Sequence, residues 1–220
     1  MNDIEINLQN IRTTIPEGVT LVAVSKTKPI DELMKAYNAG QRIFGENKIQ
    51  EMAEKWEHMP KDIEWHMIGH VQTNKVKYMA PFVNLIHAVD SIKLLKEINK
   101  QAQKHNRVIN CLLQIKIAEE ESKFGLNEKD TIDLLNSEEL QNLSNIHIQG
   151  LMGMATFTDN HEQIQNEFSI VRRLFEELKP QFPEFKTLSI GMSGDYKTAI
   201  NSGSTMVRIG SSIFGARNYN

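Results

Sequence analysis

A lysine at the end of the first buried strand is the residue of this chain best suited to covalent chemistry. An apolar run predicts a strand over residues 19–25, and Lys26 stands at its carboxyl end, on the face shared with Val22 and Val24. An amine forms an imine with a carbonyl only when it is unprotonated, and burial or a neighbouring cation lowers a lysine pKa toward that condition. Lys26 is therefore a candidate Schiff-base nucleophile. The alternative is a solvated lysine that ends a strand.

Two turns built from small residues follow the last two predicted strands. They contain Gly191, Ser193 and Gly194 after one strand, and Gly210, Ser211 and Ser212 after the next. Because glycine has no Cβ, backbone N–H groups and hydroxyls in such turns can approach an anion. Glycine and serine are also ordinary turn and cap residues, which is the structural alternative. Two such turns in succession indicate a phosphate site, since the loops after the last two strands of a (β/α)8 barrel commonly bind phosphate.

A single arginine lies close to the second turn. Arg208 precedes that turn by two residues and shares a strand face with Met206 and Gly210. Arginine has five donors, no acceptor and a charge that it cannot lose. If it faced the ring nitrogen of a pyridine cofactor, it would keep that nitrogen unprotonated and the ring a weak electron sink. The alternative is an arginine paired with a carboxylate in the core.

Two further side chains could reach the same site. Asn47 follows the second predicted strand and could donate a hydrogen bond into the barrel mouth, although helix capping is an alternative. His66 could line the mouth or could be a satisfied core histidine. His66 and His70 are four residues apart, but a strand that runs into a turn at Gly69 is predicted between them. The glutamate of the zinc-protease pattern is also missing, so we expect no metal site.

Strand and helix signals alternate along the chain after an amphipathic opening helix. Strands are predicted near residues 19–25, 42–45, 64–68, 83–87, 108–117, 146–151, 187–190 and 205–209. Helices are predicted near residues 30–39, 46–57, 72–79, 91–104, 128–136, 160–179 and 194–202, and Asp159 with Glu162 is the expected capping pair of the helix over 160–179. This alternation predicts an α/β fold, a single-domain (β/α)8 TIM-like barrel over residues 1–220 with an additional N-terminal helix. An open parallel sheet is the alternative.

Composition narrows the classes of partner. The chain has 220 residues, 40% of them hydrophobic, which suits one domain with one well-buried core. A net charge of −3 gives no electrostatic reason to expect nucleic acid or an anionic membrane as a partner. The single cysteine, Cys111, lies in an apolar run and has no partner for an internal disulfide. With no secretion signal or apolar span at its N-terminus, the chain is expected in the cytoplasm.

Six segments of the chain form a pattern when taken together. They read Ala-Val-Ser-Lys26-Thr-Lys-Pro, Phe-Gly-Glu-Asn47, Trp-His66-Met-Ile-Gly-His-Val-Gln-Thr-Asn-Lys75, Gly150-Leu-Met, Ser-Ile-Gly-Met-Ser193 and Val-Arg208-Ile-Gly-Ser-Ser-Ile-Phe-Gly215. In this order, from about Leu21 to Ala216, they resemble the pyridoxal 5′-phosphate homeostasis proteins of the YggS/PROSC type. The first and last segments are highly specific in combination.

This resemblance implies a barrel like the N-terminal domain of alanine racemase, with pyridoxal 5′-phosphate (PLP) held covalently as an aldimine of Lys26. It implies phosphate contacts from Ser193, Gly210 and Ser211, and Arg208 facing the pyridine nitrogen. The implied cofactor-binding residues are Lys26, Asn47, Ser193, Arg208, Gly210 and Ser211. One departure is Gly194-Asp195, where a more helical residue is expected before the aspartate, and it bears on the geometry of the phosphate loop.

The implied function is intracellular vitamin B6 homeostasis, by storage, transfer or buffering of PLP, without significant turnover of amino acids. A monomer is expected, with apo PLP-dependent enzymes as possible acceptors. Alanine racemases add a β-domain that provides a tyrosine as second acid/base, and this chain stops soon after its last strand. One alternative is a slow amino-acid racemase or other PLP-dependent enzyme that recruits Tyr196 or a partner chain. Another is a phosphosugar-type barrel isomerase without a cofactor.

Overall fold

Strands and helices alternate along the chain as the sequence predicts. The computed structural model describes residues 2–119 and 124–216. Its strands are β1 Thr20–Val24, β2 Ile43–Glu46, β3 Glu64–Met67, β4 Leu85–Val89, β5 Ile109–Ile115, β6 Ile146–Gly153, β7 Thr187–Met192 and β8 Met206–Ile209. Its α-helices are α1 Asp3–Thr14, α2 Ile30–Asn38, α3 Ile49–His58, α4 Val76–Met79, α5 Ile92–Lys104, α6 Glu128–Leu135, α7 Glu138–Gln141, α8 His161–Leu178, α9 Tyr196–Asn201 and α10 Ser211–Phe214, and a 3₁₀ turn covers Thr73–Lys75.

The sheet closes on itself. Neighbouring strands pair in parallel in chain order from β1 to β8, and β8 returns to pair with β1, where Val22 lies beside Arg208. The prediction of a (β/α)8 TIM-like barrel with an N-terminal helix is confirmed, and the open-sheet alternative is wrong. Closure gives each of the eight described strands two partners, so the sheet that they form has no unpaired edge. It also brings the end of β1, which precedes Lys26, next to the turn after β8.

Apolar side chains fill two layers of the barrel. The larger layer lies between the strands and the surrounding helices and includes Phe44, Trp65 and Phe168, all of which are fully buried. The smaller layer fills the barrel interior with Val22, Leu85, Ala88, Leu112, Met152 and Met206. This division follows from the two-residue period of a strand, which sends alternate side chains to opposite faces. No helix that the structure describes is both long enough and apolar enough to cross a membrane.

The differences from the predicted elements are local. The predicted helix over 72–79 is a 3₁₀ turn followed by α4, and the short helices α7 and α10 are not predicted. Asp159 as the cap of the helix over 160–179 is wrong, because α8 begins at His161 and the Asn160 side chain accepts hydrogen bonds from the N–H groups of Glu162 and Gln163. An N-cap side chain must stand directly before the first helical residue, and Asp159 stands one residue too early.

Candidate functional site

A cavity of about 550 Å³ opens at the carboxyl ends of the strands. Its lining includes all six residues predicted from the sequence, namely Lys26, Asn47, Ser193, Arg208, Gly210 and Ser211. These residues come from the loops after β1, β2 and β7, from β8, and from the turn after β8. In a parallel barrel all carboxyl ends lie at the same rim, so residues far apart in the sequence meet there.

Two lysines reach this cavity from the loop after β1. Lys26 and Lys28 both line it, together with Val24 of β1. The Lys28 ammonium donates a hydrogen bond of 2.7 Å to the carbonyl of Phe214, at the end of α10. Lys28 is therefore anchored to the C-terminal segment of the barrel, whereas Lys26 follows directly from the strand face that lines the interior.

Asn47 is held in the rim by a close approach of two backbone segments. A Cβ atom added at Gly69 would clash with the Asn47 carbonyl oxygen, so only glycine allows the loop after β3 to lie against the loop after β2. Asn47 is not a helix cap, because the residue that precedes α3 is Lys48. The capping alternative for Asn47 is therefore wrong.

The two small-residue turns are joined to each other. The Gly210 N–H donates a hydrogen bond of 3.1 Å to the hydroxyl of Ser193. Ser193 acts as the acceptor in this bond, so its own proton can be donated to a ligand. The first turn is closed by Asp195, whose N–H donates to the Met192 carbonyl and whose carboxylate accepts from the Met192 N–H. The aspartate at the Gly194-Asp195 departure thus closes the turn that presents Ser193.

Arg208 is buried and has no carboxylate among its hydrogen-bond partners in the described part of the chain. Its guanidinium donates to the Ser189 carbonyl at 2.8 Å, to the Ser189 hydroxyl at 2.6 Å and to the Gly153 carbonyl at 3.0 Å. Burial lowers the pKa of Arg208 to about 10, which still leaves the group charged at neutral pH. A cation that lines a cavity in this way favours a ligand with an acceptor.

Comparison with known proteins places this geometry in a family. The profile described as "Alanine racemase, N-terminal domain" matches residues 1–218. The pyridoxal phosphate homeostasis protein of Vibrio alginolyticus is 39% identical over 234 residues, with 100% of both chains covered. That of Haemophilus influenzae is 42% identical over 206 residues, with 91% of this chain and 86% of its own covered. This chain belongs to the family of pyridoxal phosphate homeostasis proteins.

Solved structures agree with this membership of the homeostasis protein family. PipY of Synechococcus elongatus, in a structure with PLP bound, superposes with a TM-score of 0.87 at 33% identity, and the match covers 96% of this chain and all of PipY. An alanine racemase of Clostridium difficile superposes with a TM-score of 0.83 at 14% identity, and the match covers 99% of this chain and 61% of the racemase. At that identity the racemase shares the fold alone.

A row of hydrogen-bonded side chains, Ser189, His87 and His66, extends from Arg208 into the barrel interior. Ser189 and His87 were not predicted from the sequence. The Ser189 hydroxyl lies 3.0 Å from Nδ1 of His87, and Nε2 of His87 lies 3.0 Å from Nδ1 of His66. The available signal was a polar residue in each of two apolar strands, His87 in β4 and Ser189 in β7. His66 is buried and does not line the cavity, so it is a satisfied core histidine.

The direction of these hydrogen bonds follows from Arg208. Because arginine can only donate, the Ser189 hydroxyl accepts from Arg208. Among the described residues, Nδ1 of His87 is the acceptor within reach of the Ser189 proton, so we assign the proton to this bond. His87 is then protonated at Nε2, which donates to Nδ1 of His66, and the His66 proton is on Nε2. Burial lowers the pKa of His66 to about 3 and holds that of His87 well below its usual range. Both rings are thus neutral and the positive charge stays on Arg208.

We expect these buried histidines to make the protein less stable in mild acid. The unfolded chain binds protons near the ordinary histidine pKa of about 6.5, whereas folded His66 binds its proton only near pH 3. The free energy of unfolding should therefore fall as the pH drops below about 6.5, by about 1.4 kcal/mol per pH unit for one histidine. Urea unfolding between about pH 5 and 6 should show that His66→Gln removes the share of His66, about half of the slope, while buried His87 keeps its own share. Glutamine also offers an acceptor to His87 and does not titrate.

The matched control for this measurement is His105→Gln, at an exposed histidine that follows α5. It should leave the slope of the wild-type protein unchanged. If His66→Gln also left the slope unchanged, His66 would be taking up protons in the folded state, contrary to the neutral assignment.

Proposed function

We propose that this protein binds PLP in the rim cavity, as an imine of Lys26, and serves vitamin B6 homeostasis by storing, buffering or transferring the cofactor. The observation that carries this proposal is the meeting of an amine, a buried guanidinium and two joined small-residue turns in one cavity. The homologues named as pyridoxal phosphate homeostasis proteins support it, as does the PLP-bound PipY structure.

The donor set fits the functional groups of PLP. PLP presents an aldehyde, a phosphate and a ring nitrogen that accepts a hydrogen bond when unprotonated. Lys26 would bind the aldehyde, the hydroxyls of Ser193 and Ser211 would donate to the phosphate, and Arg208 would donate to the ring nitrogen. Gly210 and Asn47 complete the proposed contacts. The Gly210 N–H already donates to Ser193, so in our proposal Gly210 acts chiefly by holding Ser193 in place.

Arg208 also explains why binding need not lead to amino-acid chemistry. When bound, PLP supplies a reversible aldehyde and a ring that withdraws electrons strongly once its nitrogen is protonated. The buried Arg208 guanidinium stays charged at neutral pH, and its neighbours Ser189 and His87 are neutral. It can hold the nitrogen by donating a hydrogen bond, but it does not give up a proton. We therefore propose a carrier rather than an enzyme.

The alternative of a slow racemase or other PLP-dependent enzyme needs a second acid/base, for which Tyr196 is the candidate. Tyr196 is buried and does not line the cavity. Its hydroxyl lies 2.9 Å from the hydroxyl of Thr14 at the end of α1. This contact directs Tyr196 toward the outer helices, so the structure offers this alternative no support.

The remaining proposals concern organisation and partners. We propose that the chain forms one PLP-binding domain over residues 1–220 and acts as a monomer in the cytoplasm, with apo PLP-dependent enzymes as acceptors. The closed barrel over the described residues supports the single domain, since its strands span Thr20 to Ile209. The buried free Cys111 suits a reducing compartment.

The phosphate contacts test the proposal. We expect Ser193→Ala and Ser211→Ala each to weaken PLP binding about tenfold, because each removes a hydrogen bond to a charged group. Binding of unphosphorylated pyridoxal should change little. Fluorescence titration with both ligands measures the difference. Gly210 is a poor choice for this test, because an added Cβ would lie 3.0 Å from the Val24 carbonyl and would also displace β1.

Ser212→Ala is the matched control, since Ser212 lies in the same turn but does not line the cavity. It should leave the affinity for both ligands unchanged. Equal losses for PLP and pyridoxal in the Ser193 and Ser211 variants would mean that these turns support the fold and do not contact phosphate.

A further inference from the structure

A buried ion cluster lies behind Lys26, between the barrel wall and α3. We call Lys55, Glu46 and Glu51 the Lys55 cluster. The Lys55 ammonium of α3 donates hydrogen bonds of 2.7 Å to Glu46 and 2.7 Å to Glu51. Glu46, the last residue of β2, is fully buried, and its second carboxylate oxygen has no hydrogen-bond partner among the residues that the structure describes. Burial raises the pKa of Glu46 to about 7, against the effect of Lys55.

A gain in the stability of the fold does not by itself account for a buried ion cluster of this kind. Removing two charged groups from water is costly, and buried ion pairs can often be replaced by apolar residues without loss of stability. The hydrogen bonds that the side chains of the cluster make to other residues are therefore informative. In the described part of the chain they reach Ser25 and Thr27, which flank Lys26.

The Lys55 cluster holds the chain on both sides of Lys26. On one side, the Ser25 hydroxyl donates to Glu46 at 2.6 Å, and the Ser25 carbonyl accepts from Lys55 at 2.8 Å. On the other side, the Thr27 N–H donates to the Glu51 carboxylate at 2.6 Å. The Lys26 side chain leaves the backbone between these two fixed points and enters the cavity.

The backbone conformation of Thr27 shows that these hydrogen bonds keep the chain in a conformation that it does not favour locally. Its φ is +63°, in the left-handed region that β-branched residues rarely occupy. Strained residues of this kind persist only when surrounding contacts determine them. The charged bond from Thr27 to Glu51 is such a contact. Without it, the backbone after Lys26 would be expected to relax toward negative φ, which would redirect Lys26 and Lys28.

We propose that Glu51 and Lys55 are positioning residues that select Lys26, rather than Lys28, as the amine that bonds the cofactor. This inference rests on the proposed function. Both lysines line the cavity and only one residue separates them, so proximity alone does not choose between them. The bond from Lys28 to the Phe214 carbonyl keeps Lys28 from competing, and we propose that this bond needs the backbone turn at Thr27 that Glu51 fixes.

Glu51→Ala tests the proposal without leaving a buried charge unpaired. Lys55 would keep Glu46 and the Ser25 carbonyl as partners, so the variant should fold. After mixing with PLP, stopped-flow absorbance should show imine formation about tenfold slower than in the wild-type protein, because the amine is misplaced. Borohydride reduction and peptide mapping should show a larger fraction of the adduct on Lys28. The control is Glu54→Ala, which removes an exposed carboxylate from the same helix.

Thr27→Gly separates positioning from a general structural role. Glycine adopts the left-handed conformation without strain, so a larger fraction of the molecules should keep the turn in the absence of Glu51. In the Glu51→Ala background it should restore at least half of the lost rate. A melting temperature lowered by Glu51→Ala at an unchanged rate and unchanged adduct site would overturn the proposal. So would a slow variant that Thr27→Gly does not rescue, since Glu51 would then act by another route.

These outcomes remain distinct from failure of the proposed function. If wild-type protein formed no adduct on Lys26, the proposed function would fail and the selection with it. If wild-type protein formed the adduct on Lys26 and all Glu51 variants did the same at the same rate, only the selection would fail.

Discussion

Replacement of Lys26 by alanine is expected to abolish the adduct that borohydride fixes between PLP and this protein. Lys26 extends from the face of β1 that lines the cavity, beside Arg208 and the joined turns after β7 and β8. We expect covalent capture at one equivalent of PLP to depend on this placement, so labelling should fall about 100-fold without the amine. Absorbance of the imine before reduction, followed by peptide mapping, measures the effect.

Lys28→Ala is the matched control for this experiment. Lys28 lines the same cavity but is tied to the Phe214 carbonyl. Its replacement should leave the adduct on Lys26. Wild-type labelling confined to Lys28 or to a helix lysine would mean that the assignment of Lys26 is wrong.

The loaded protein is expected to turn over amino acids far more slowly than PLP-dependent enzymes do. Arg208 would withhold the proton that makes the ring a strong electron sink, and Tyr196 is directed toward Thr14. Racemisation, transamination and decarboxylation should stay below about 0.01 per second, compared with roughly 1 to 1,000 per second for ordinary enzymes. Product formation and α-deuterium exchange on a panel of amino acids measure this, with Lys26→Ala as the blank.

The same loaded protein is expected to transfer its cofactor to an acceptor enzyme. An imine with a lysine is reversible, so loaded protein should restore activity to an apo PLP-dependent enzyme while it loses its own imine absorbance. Sustained, Lys26-dependent turnover on the order of one per second or faster would instead place this protein among the enzymes.

The sequence by itself was sufficient for the features that depend on local patterns. Apolar runs bounded by turn residues predicted the eight strands, because a buried strand needs such a run wherever it lies in the fold. Local patterns also predicted that Lys26 stands at the end of a strand and that Ser193 and Gly210 lie in turns. Strand parity also placed Arg208 on the face that lines the cavity.

Only the tertiary structure decided which groups become partners across the barrel. The contact between Ser189 of β7 and His87 of β4 joins strands that are far apart in the chain, and no local pattern encodes such a pair. The Lys55 cluster is likewise invisible in the sequence, where Lys55 reads as one more charged residue of a helix. Its burial depends on how α3 packs against β2 and β3. Hydrogen bonds between side chains are short and directional, so their partners are fixed only when the closed barrel sets the distances.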